Sequence, residues 1–315
     1  MNKARLSRGG RYMLFIFVWM IVSQYGLVFA APALLAKLNG TSYIFLLTES
    51  VMFAPPLLFL LSRNFLQRKS GRFIALLSIQ PLSLQNAGYT VLMTVFLTPL
   101  MMILSGLSGL FFPNPAEQIL TELHDAPLWV LLTTLAFTPA VWEELNFRGV
   151  IFGEMKNSDL KQAVALNGIF FGLMHMNLQQ FPYACAMGIV LTLFVYWTGS
   201  ILASMLAHFI SNALSTLLSV WANTCVVLQE DALAQAGLTS LPSIAAIAFA
   251  AIVTLIFFGA FLLTYVKFKA HNQKRTDGGQ RDGDCPDNHP GSHAPDFVLA
   301  AAMLAFTILW QLSLP

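Results

Sequence analysis

The chain has 315 residues, of which 57% are hydrophobic and 10% are charged. A soluble globular domain carries about 25% charged residues, so this composition excludes an ordinary soluble enzyme and a disordered chain. The 17 basic and 15 acidic residues leave a net charge of +2, which is too small an excess to form a nucleic-acid-binding surface. We therefore expect an all-α, polytopic membrane protein with the lipid bilayer as its solvent.

The N-terminal region, residues 1–126, predicts three membrane helices. A membrane-spanning helix needs about 20 mostly apolar residues, and such stretches lie at about 12–35, 42–62 and 88–112. The first follows several basic residues, as in a signal peptide, but it is too long for one, and Pro32 makes Ala30-Ala31 a poor cleavage site. We predict that it is retained as a helix. The short apolar segment Phe73–Leu84 is predicted to lie along the membrane interface.

The rest of the chain predicts five more membrane helices and one shorter apolar stretch. They lie at about 127–142, 162–178, 181–198, 200–222 and 243–267, with the shorter stretch at 297–313. The expected fold is a bundle of about eight transmembrane helices, or nine if the last stretch also spans the membrane. We divide this part into a core at 127–222, a loop and helix at 223–269, a polar linker at 270–296 and an apolar C-terminal segment at 297–315.

The charge distribution predicts the orientation of the bundle. Basic residues gather before the first helix and within 63–72, 156–161 and 267–275, whereas the loops on the other side are acidic, at 117–125 and 230–231. The positive-inside rule then places the N-terminus in the cytoplasm. Short loops without targeting extensions are compatible with a bacterial protein, so we expect the bacterial inner membrane.

The polar linker at 270–296 has two interpretations. It contains His271, Cys285, His289 and His293, which are residue types found in metal-binding tracts. Their spacing matches no ordinary metal site, and this favours a solvated, disordered cytoplasmic linker.

Three groups of polar residues interrupt the apolar core, where an ionisable side chain is costly and predicts a function. The first group is Glu143, Glu144 and Arg148. On a helix Arg148 lies one turn from Glu144 and can pair with it, whereas Glu143 points about 100° away. The unpaired Glu143 is the carboxylate expected to act as a base. The alternative is a helix end whose charges reach the membrane interface.

His175, and the pair His208 and Asn212, form the other two groups. His175 follows Gly168 and Gly172, which permit close helix packing. His208 and Asn212 lie one helical turn apart, and their N–H groups can hold an oxyanion or a water. Each group alone is equally typical of structural hydrogen bonds between helices. Together, a carboxylate, two imidazoles and an amide are a complete set for activating water and stabilising a tetrahedral oxyanion.

The motifs Glu143-Glu144-x-x-x-Arg148, Phe171-x-x-x-His175 and His208-x-x-x-Asn212 resemble those of the CPBP family in order and spacing. That family, also called Abi, comprises CAAX prenyl protease 2-like and bacteriocin-processing proteins. The resemblance covers about residues 127–220. It implies an all-helical intramembrane endopeptidase.

The resemblance also implies a role for each motif residue. Glu143 would activate the attacking water with help from His175, and His208 and Asn212 would form the oxyanion site. Glu144, Arg148 and Phe171 would support the site. The family is described both as glutamic proteases and as metalloproteases; we expect no cofactor here. A zinc-dependent variant would use Glu143, His175 and His208 as its protein ligands.

Other functions fit the sequence less well. Gly106-Leu107-Ser108-Gly109 matches the GxSG of rhomboid proteases, but here the His208/Asn212 element follows the serine instead of preceding it. The chain contains neither the HExxH of zinc proteases nor a visible transporter repeat. A non-proteolytic immunity or scaffold protein of the same family is the main alternative. As substrate we expect a leader peptide, a bacteriocin precursor or a small membrane protein; no residue pattern indicates which, nor the oligomeric state.

Overall fold

The computed structural model describes residues 5–38, 43–67, 70–113, 123, 126–156, 159–236, 244–278 and 293–313. Within these ranges every regular element is a helix, and no strand occurs. The prediction of an all-α, polytopic helix bundle is confirmed. The acidic loop at 117–122, together with Asp125, Cys285 and His289, lies outside the described residues.

Eleven helices follow one another in the described chain. They are α1 (Arg8–Ala30), α2 (Pro32–Leu38), α3 (Tyr43–Leu66), α4 (Ser70–Leu77), α5 (Leu84–Gly109), α6 (128–155), α7 (Leu160–Met174), α8 (Phe181–Thr198), α9 (Ile201–Ala236), α10 (Ile244–Gly278) and α11 (Ala294–Ser313).

Seven helices in the described part of the chain are long and apolar enough to cross a membrane. They are α1, α3, α5, α8 and α11, together with Ile201–Ala222 of α9 and Ile247–Gln273 of α10. The chain is an integral membrane protein. The shorter C-terminal stretch is one of these seven, because α11 begins three residues earlier than predicted.

Two of the predicted membrane spans, at 127–142 and 162–178, do not form helices of that kind. Helix α7 has only 15 residues, fewer than the roughly 20 that a span needs. Helix α6 is longer but is divided by two π-helical segments, Thr133–Phe137 and Leu145–Ile151. Helix α6 packs against α1, α3, α4 and α9, and α7 packs against α8 and α11. These neighbours cover most of both helices, although Leu128, Trp129 and Phe137 in the first part of α6 are exposed. Helices α6 and α7 form the polar centre of the bundle.

Proline explains the first irregularity in α6. Pro139 is the second residue after Thr133–Phe137 and has no N–H to donate to the carbonyl of Leu135, four residues earlier. The chain widens there, so that the backbone N–H of Thr138 donates to the carbonyl of Thr133 five residues back. Such wide turns inside α-helices frequently mark functional sites. The two wide turns in α6 enclose Thr138–Glu144, which ends on the two predicted site carboxylates.

Glycines allow α7 and α8 to approach closely, as predicted for Gly168 and Gly172. A Cβ atom at Gly168 would lie 2.9 Å from the carbonyl oxygen of Cys185, and one at Gly188 would lie 2.9 Å from the Cα of Gly168. Side chains do not fit in such short gaps, so both positions require glycine. At this contact, residues of α7 pack against residues of α8 in the apolar core.

The segment predicted to lie along the interface packs partly on the core. Helix α4 ends at Leu77, and Leu76 and Leu77 are both buried. They lie against Gly149 and Gly153 of α6, which leave room for them. The face of α4 that carries Ile74 points away from the core, and Ile74 is exposed.

The two ends of the predicted polar linker are also ordered. Helix α10 continues to Gly278, so the boundary drawn at residue 270 falls inside a helix. His293, predicted to be solvated, is buried, and its ring Nδ1 lies 2.8 Å from the Asp296 carboxylate. The other oxygen of Asp296 accepts the backbone N–H of Ser7. This contact attaches the start of α11 to the start of α1.

Candidate active site

Helix α6 places the two neighbouring glutamates in different surroundings. Glu144 is fully buried, and its Oε1 accepts hydrogen bonds from Arg148 Nη1 at 2.8 Å and from His208 Nδ1 at 2.9 Å. The Glu144–Arg148 pair expected from their spacing is therefore present. The same carboxylate also binds α9, so it connects two helices that each carry a predicted motif.

Glu143 differs from its neighbour because it retains an unused oxygen. Its side chain is buried, with 8% of the residue exposed, and its Oε2 finds no hydrogen-bond partner among the described residues. The nearest basic atom is Nε2 of His208, at 4.0 Å. A buried carboxylate oxygen without a donor is costly. Glu143 is thus available to accept a proton or a hydrogen bond from a molecule that enters the site.

The contacts of His208 determine which of its ring atoms is available. A carboxylate accepts hydrogen bonds, so Nδ1 carries the proton that it shares with Glu144. Nε2 then faces Glu143. In a neutral ring Nε2 is an acceptor; in an imidazolium it is a donor. The predicted oxyanion role consequently requires a positively charged His208, whose Nε2 would then be a donor.

His175 follows the last residue of α7 and presents a single free ring nitrogen. Its Nδ1 lies 2.9 Å from the carbonyl oxygen of Phe171, which can only accept, so Nδ1 carries a proton. In the neutral ring Nε2 is therefore a base. The next residue, Met176, has a positive φ of 48°, a conformation rare for a side-chain-bearing residue. The chain turns sharply there and keeps His175 at the helix end.

Phe171 lies at the centre of the cluster. Its ring is 5.3 Å from that of His175 and 5.6 Å from that of His208 between centroids, in edge-on geometry. The Arg148 guanidinium carbon lies 4.2 Å from its centroid, as in a cation–π contact. Phe171 thus separates the two imidazoles while contacting the cation that binds Glu144.

Asn212 does not contact His208 through any hydrogen bond of the described residues. Its Nδ2 instead donates to the Leu135 carbonyl at 3.1 Å, the carbonyl to which Pro139 has no N–H to donate. An amide nitrogen carries two hydrogens, so one remains for another acceptor. Asn212 therefore fixes α9 against the first wide turn of α6, about two turns before the glutamates.

Residues 125–214 match the Rce1-like family. The matching family is described as "Type II CAAX prenyl endopeptidase Rce1-like". The matched segment runs from just before α6 to the first part of α9 and contains all three motifs. The resemblance to CAAX prenyl proteases is thus confirmed over the predicted core. Neither a curated protein nor a solved structure matches the chain.

A polar network that the sequence did not predict supports the Rce1-like segment. Arg148 Nη2 donates to the Gly188 carbonyl at 3.0 Å, and the Thr192 hydroxyl is 2.7 Å from the same oxygen. Thr192 also lies within hydrogen-bond distance of Asn167 Oδ1, and Asn167 Nδ2 donates to the carbonyl of Phe147, next to Arg148. The network links α6, α7 and α8. Asn167 and Thr192 carry no charge, so the sequence contained only a weak indication that they belong to the site.

Glu49 is the second feature that the motifs did not predict. It lies in α3, outside the Rce1-like segment, and its Oε2 is buried without a partner among the described residues. Its charge interacts with that of Glu143, as does the side chain of Tyr183 on α8. The sequence did contain a signal for Glu49, because a carboxylate inside an apolar span is a candidate functional residue.

The serine of the GxSG sequence has no such surroundings. Ser108 is near the end of α5, and its hydroxyl donates to the Leu104 carbonyl of its own helix at 2.8 Å. A serine protease mechanism needs a histidine as its base, and His208 is bound to Glu144. The rhomboid interpretation gains no support from these contacts.

A zinc site would require three converging protein ligands and an open position. The described His, Cys, Asp and Glu side chains form no group of three that could hold a metal ion. Glu143, His175 and His208 therefore do not fit the expected zinc ligand set in this arrangement, and no step below involves a metal.

Proposed function

We propose that this protein is an intramembrane endopeptidase of the glutamic type, which hydrolyses a peptide bond within or near the bilayer. The observation that carries the proposal is the unpartnered carboxylate oxygen of Glu143 beside the Nε2 of His208. Each of the other polar side chains in the three motifs is oriented by a hydrogen bond, whereas Glu143 keeps an oxygen that can accept a hydrogen bond or a proton from a reactant. The match to an endopeptidase family supports the same reaction.

In the proposed reaction Glu143 acts as general base. It removes a proton from a water, and the water oxygen forms a bond to the carbonyl carbon of the substrate. His175 assists through Nε2, the ring atom left free by the bond from Nδ1 to Phe171. The proton taken up by Glu143 then passes to the amine nitrogen as the peptide bond breaks.

The negative oxygen formed in that step needs hydrogen-bond donors. In this proposal they are Nε2–H of a protonated His208 and the second amide hydrogen of Asn212. Glu144 would hold His208 in the required orientation, and Arg148 would compensate the charge of Glu144. Removing a single oxyanion donor typically slows such a reaction about 10²–10³-fold.

The proposed substrate is a peptide or small membrane protein, such as a leader peptide or a bacteriocin precursor. The site lies in helices enclosed by others, so the substrate must enter from the bilayer or from one end of the bundle. The proposed location is a bacterial inner membrane, and the charge distribution supports an N-terminus in the cytoplasm.

The test compares peptide termini in membranes of cells that lack the protein and are complemented at equal levels with wild type or Glu143→Gln. We expect new termini with wild type and none with the variant, because Gln cannot take up the proton. Asp159→Asn, which changes a carboxylate at the start of α7, is the control and should behave as wild type. If the cellular function persists in Glu143→Gln, the scaffold or immunity function replaces this proposal.

Metal independence is tested on the same preparation. We expect purified, active protein to retain cleavage after chelation and to contain no stoichiometric metal. One tightly bound metal, whose removal and return abolish and restore cleavage, would instead support the zinc-dependent variant.

A further inference from the structure

Glu49 is an acidic residue of an apolar helix that packs on the proposed catalytic helix. Helix α3 contacts Thr138–Glu144 of α6. The Oε2 atom of Glu49 and the Oε2 atom of Glu143 are both buried and both lack a hydrogen-bond partner among the described residues. The two carboxylates are close enough for their charges to interact.

The contacts one turn further along fix the register of the two helices. Asn146 Nδ2 donates to the Phe53 carbonyl at 3.3 Å, and the rings of Phe53 and Phe147 are 6.5 Å apart. Glu49 lies four residues before Phe53, and Glu143 lies three residues before Asn146. If α3 and α6 are parallel, these spacings place Glu49 opposite Glu143.

The packing of α4 shows that the helices are parallel. Helix α4 follows α3 closely, and its last residues, Leu76 and Leu77, lie against Gly153 and Gly149 near the end of α6. The C-terminal ends of α3 and α6 are therefore on the same side of the bundle. Asn146 is held in this register by a second bond, because its Oδ1 accepts the Tyr12 hydroxyl at 2.8 Å.

In this register the two buried carboxylate oxygens lie on neighbouring turns of α3 and α6, and neither has a donor among the described residues. Arg148, the one guanidinium of the site, is already bound to Glu144 and to the Gly188 carbonyl. Two acceptors on opposite sides suit a molecule with two O–H groups, which is water. A water held by both of its hydrogens has its oxygen lone pairs directed away from the carboxylates.

We propose that Glu49 is a further catalytic residue of this site, and that Glu49 and Glu143 accept the two O–H groups of the attacking water. This inference rests on the proposed function. One O–H bond breaks, and its proton goes to Glu143; the other O–H stays bound to Glu49 while the oxygen forms the bond to the substrate carbon. The proton on Glu143 later goes to the leaving amine by way of Nε2 of His175, which therefore assists without binding a hydrogen of the water.

The first test measures stability and needs no substrate. Glu49→Gln, Glu143→Gln and the double variant are compared in detergent by thermal unfolding. Each single change should raise Tm by roughly 2–4 °C, because the Gln amide donates to the facing carboxylate and repulsion ends. The double variant should gain less than the sum of the two. A lowered Tm in Glu49→Gln, or strictly additive shifts, would overturn the facing arrangement.

The second test measures the rate at which the Glu143-dependent termini accumulate, at equal protein levels. Glu49→Gln should slow accumulation at least 10-fold although it stabilises the protein, and Glu49→Asp should recover part of the rate. Thr48→Val is the matched control on α3, because among the described residues the Thr48 hydroxyl binds carbonyls of its own helix, and its rate should equal that of wild type.

The outcomes separate the two proposals. A wild-type rate in Glu49→Gln, with Glu143→Gln inactive, overturns the role of Glu49 and leaves the endopeptidase proposal in place. Termini that persist in Glu143→Gln overturn the endopeptidase proposal and the water-binding role together. The non-additive Tm shifts would in that case still report that the two carboxylates face each other.

Discussion

Among the buried polar clusters of the described residues, two differ in how completely their hydrogen bonds are satisfied. In the first, Asn86 of α5 and Asn272 of α10 exchange side-chain hydrogen bonds of 3.0 and 2.9 Å, and Asn272 also donates to the Phe268 carbonyl. In the second, around Glu143, several buried atoms lack partners among the described residues. These atoms are Oε2 of Glu49, Glu143 and Glu144 and Nε of Arg148.

The difference separates a contact that serves stability from one that serves chemistry. The asparagine pair can satisfy its amides internally, so it joins α5 to α10 without offering a group to a reactant. The glutamate cluster is expensive to bury and leaves acceptors unused, which stability alone does not favour. Unused acceptors at the meeting point of three family motifs therefore carry more functional information than burial of polar residues as such.

The largest expected effect comes from breaking the charge pair in the second cluster. Arg148→Ala removes the guanidinium bound to Glu144 and leaves that fully buried carboxylate with the single hydrogen bond from His208. Loss of one partner of a buried pair costs about 3–5 kcal/mol. We expect a strong loss of folded protein, measured as the level extracted from membranes and as Tm.

Glu143→Ala is the matched control, since it removes a neighbouring carboxylate that has no hydrogen-bond partner among the described residues. It should abolish cleavage but leave the folded level unchanged or higher. Equal levels and equal Tm for the two variants would contradict the assignment of Arg148 as the compensating cation.

The sequence was sufficient to predict this charge pair because helical spacing alone brings Glu144 and Arg148 together. It was also sufficient for the all-helical class, which follows from long apolar stretches. It could not predict that Glu144 binds His208, since residues 64 positions apart meet only after α6 and α9 pack. Asn212 shows the same limit: its spacing places it on one helix face with His208, but its bond to the Leu135 carbonyl of α6 follows only from packing.

The membrane helices show a second limit of sequence reasoning. Hydropathy does not distinguish a helix facing lipid from one covered by other helices, as are α7 and the part of α6 after Phe137. The first wide turn of α6 is explained by Pro139, whose effect on the helix a hydropathy count ignores. Glu49 lies outside the three motifs, and a single carboxylate in the second span was therefore not among the predicted site residues.

A smaller effect is expected from breaking the first cluster. Asn86→Leu leaves the amide of Asn272 with unused groups, which costs about 1–3 kcal/mol. We expect a lower Tm but an unchanged cleavage rate per folded molecule. The double variant Asn86→Leu/Asn272→Leu should regain much of the Tm, because both polar groups are then removed. A fall in the rate at equal folded levels would show that the pair is coupled to the site.

The smallest expected effect separates the two roles open to Asn212. Its observed bond is to the Leu135 carbonyl, to which Pro139 cannot donate. In Pro139→Ala the new backbone N–H can donate to that carbonyl. Adding Asn212→Ala to this variant should therefore reduce the free energy of unfolding by about 1 kcal/mol less than Asn212→Ala does in wild type. If Asn212 also donates to the oxyanion, Asn212→Ala must still slow cleavage about 10²-fold in the Pro139→Ala background. A rate loss that disappears together with the stability loss would make Asn212 a positioning residue and leave His208 as the oxyanion donor.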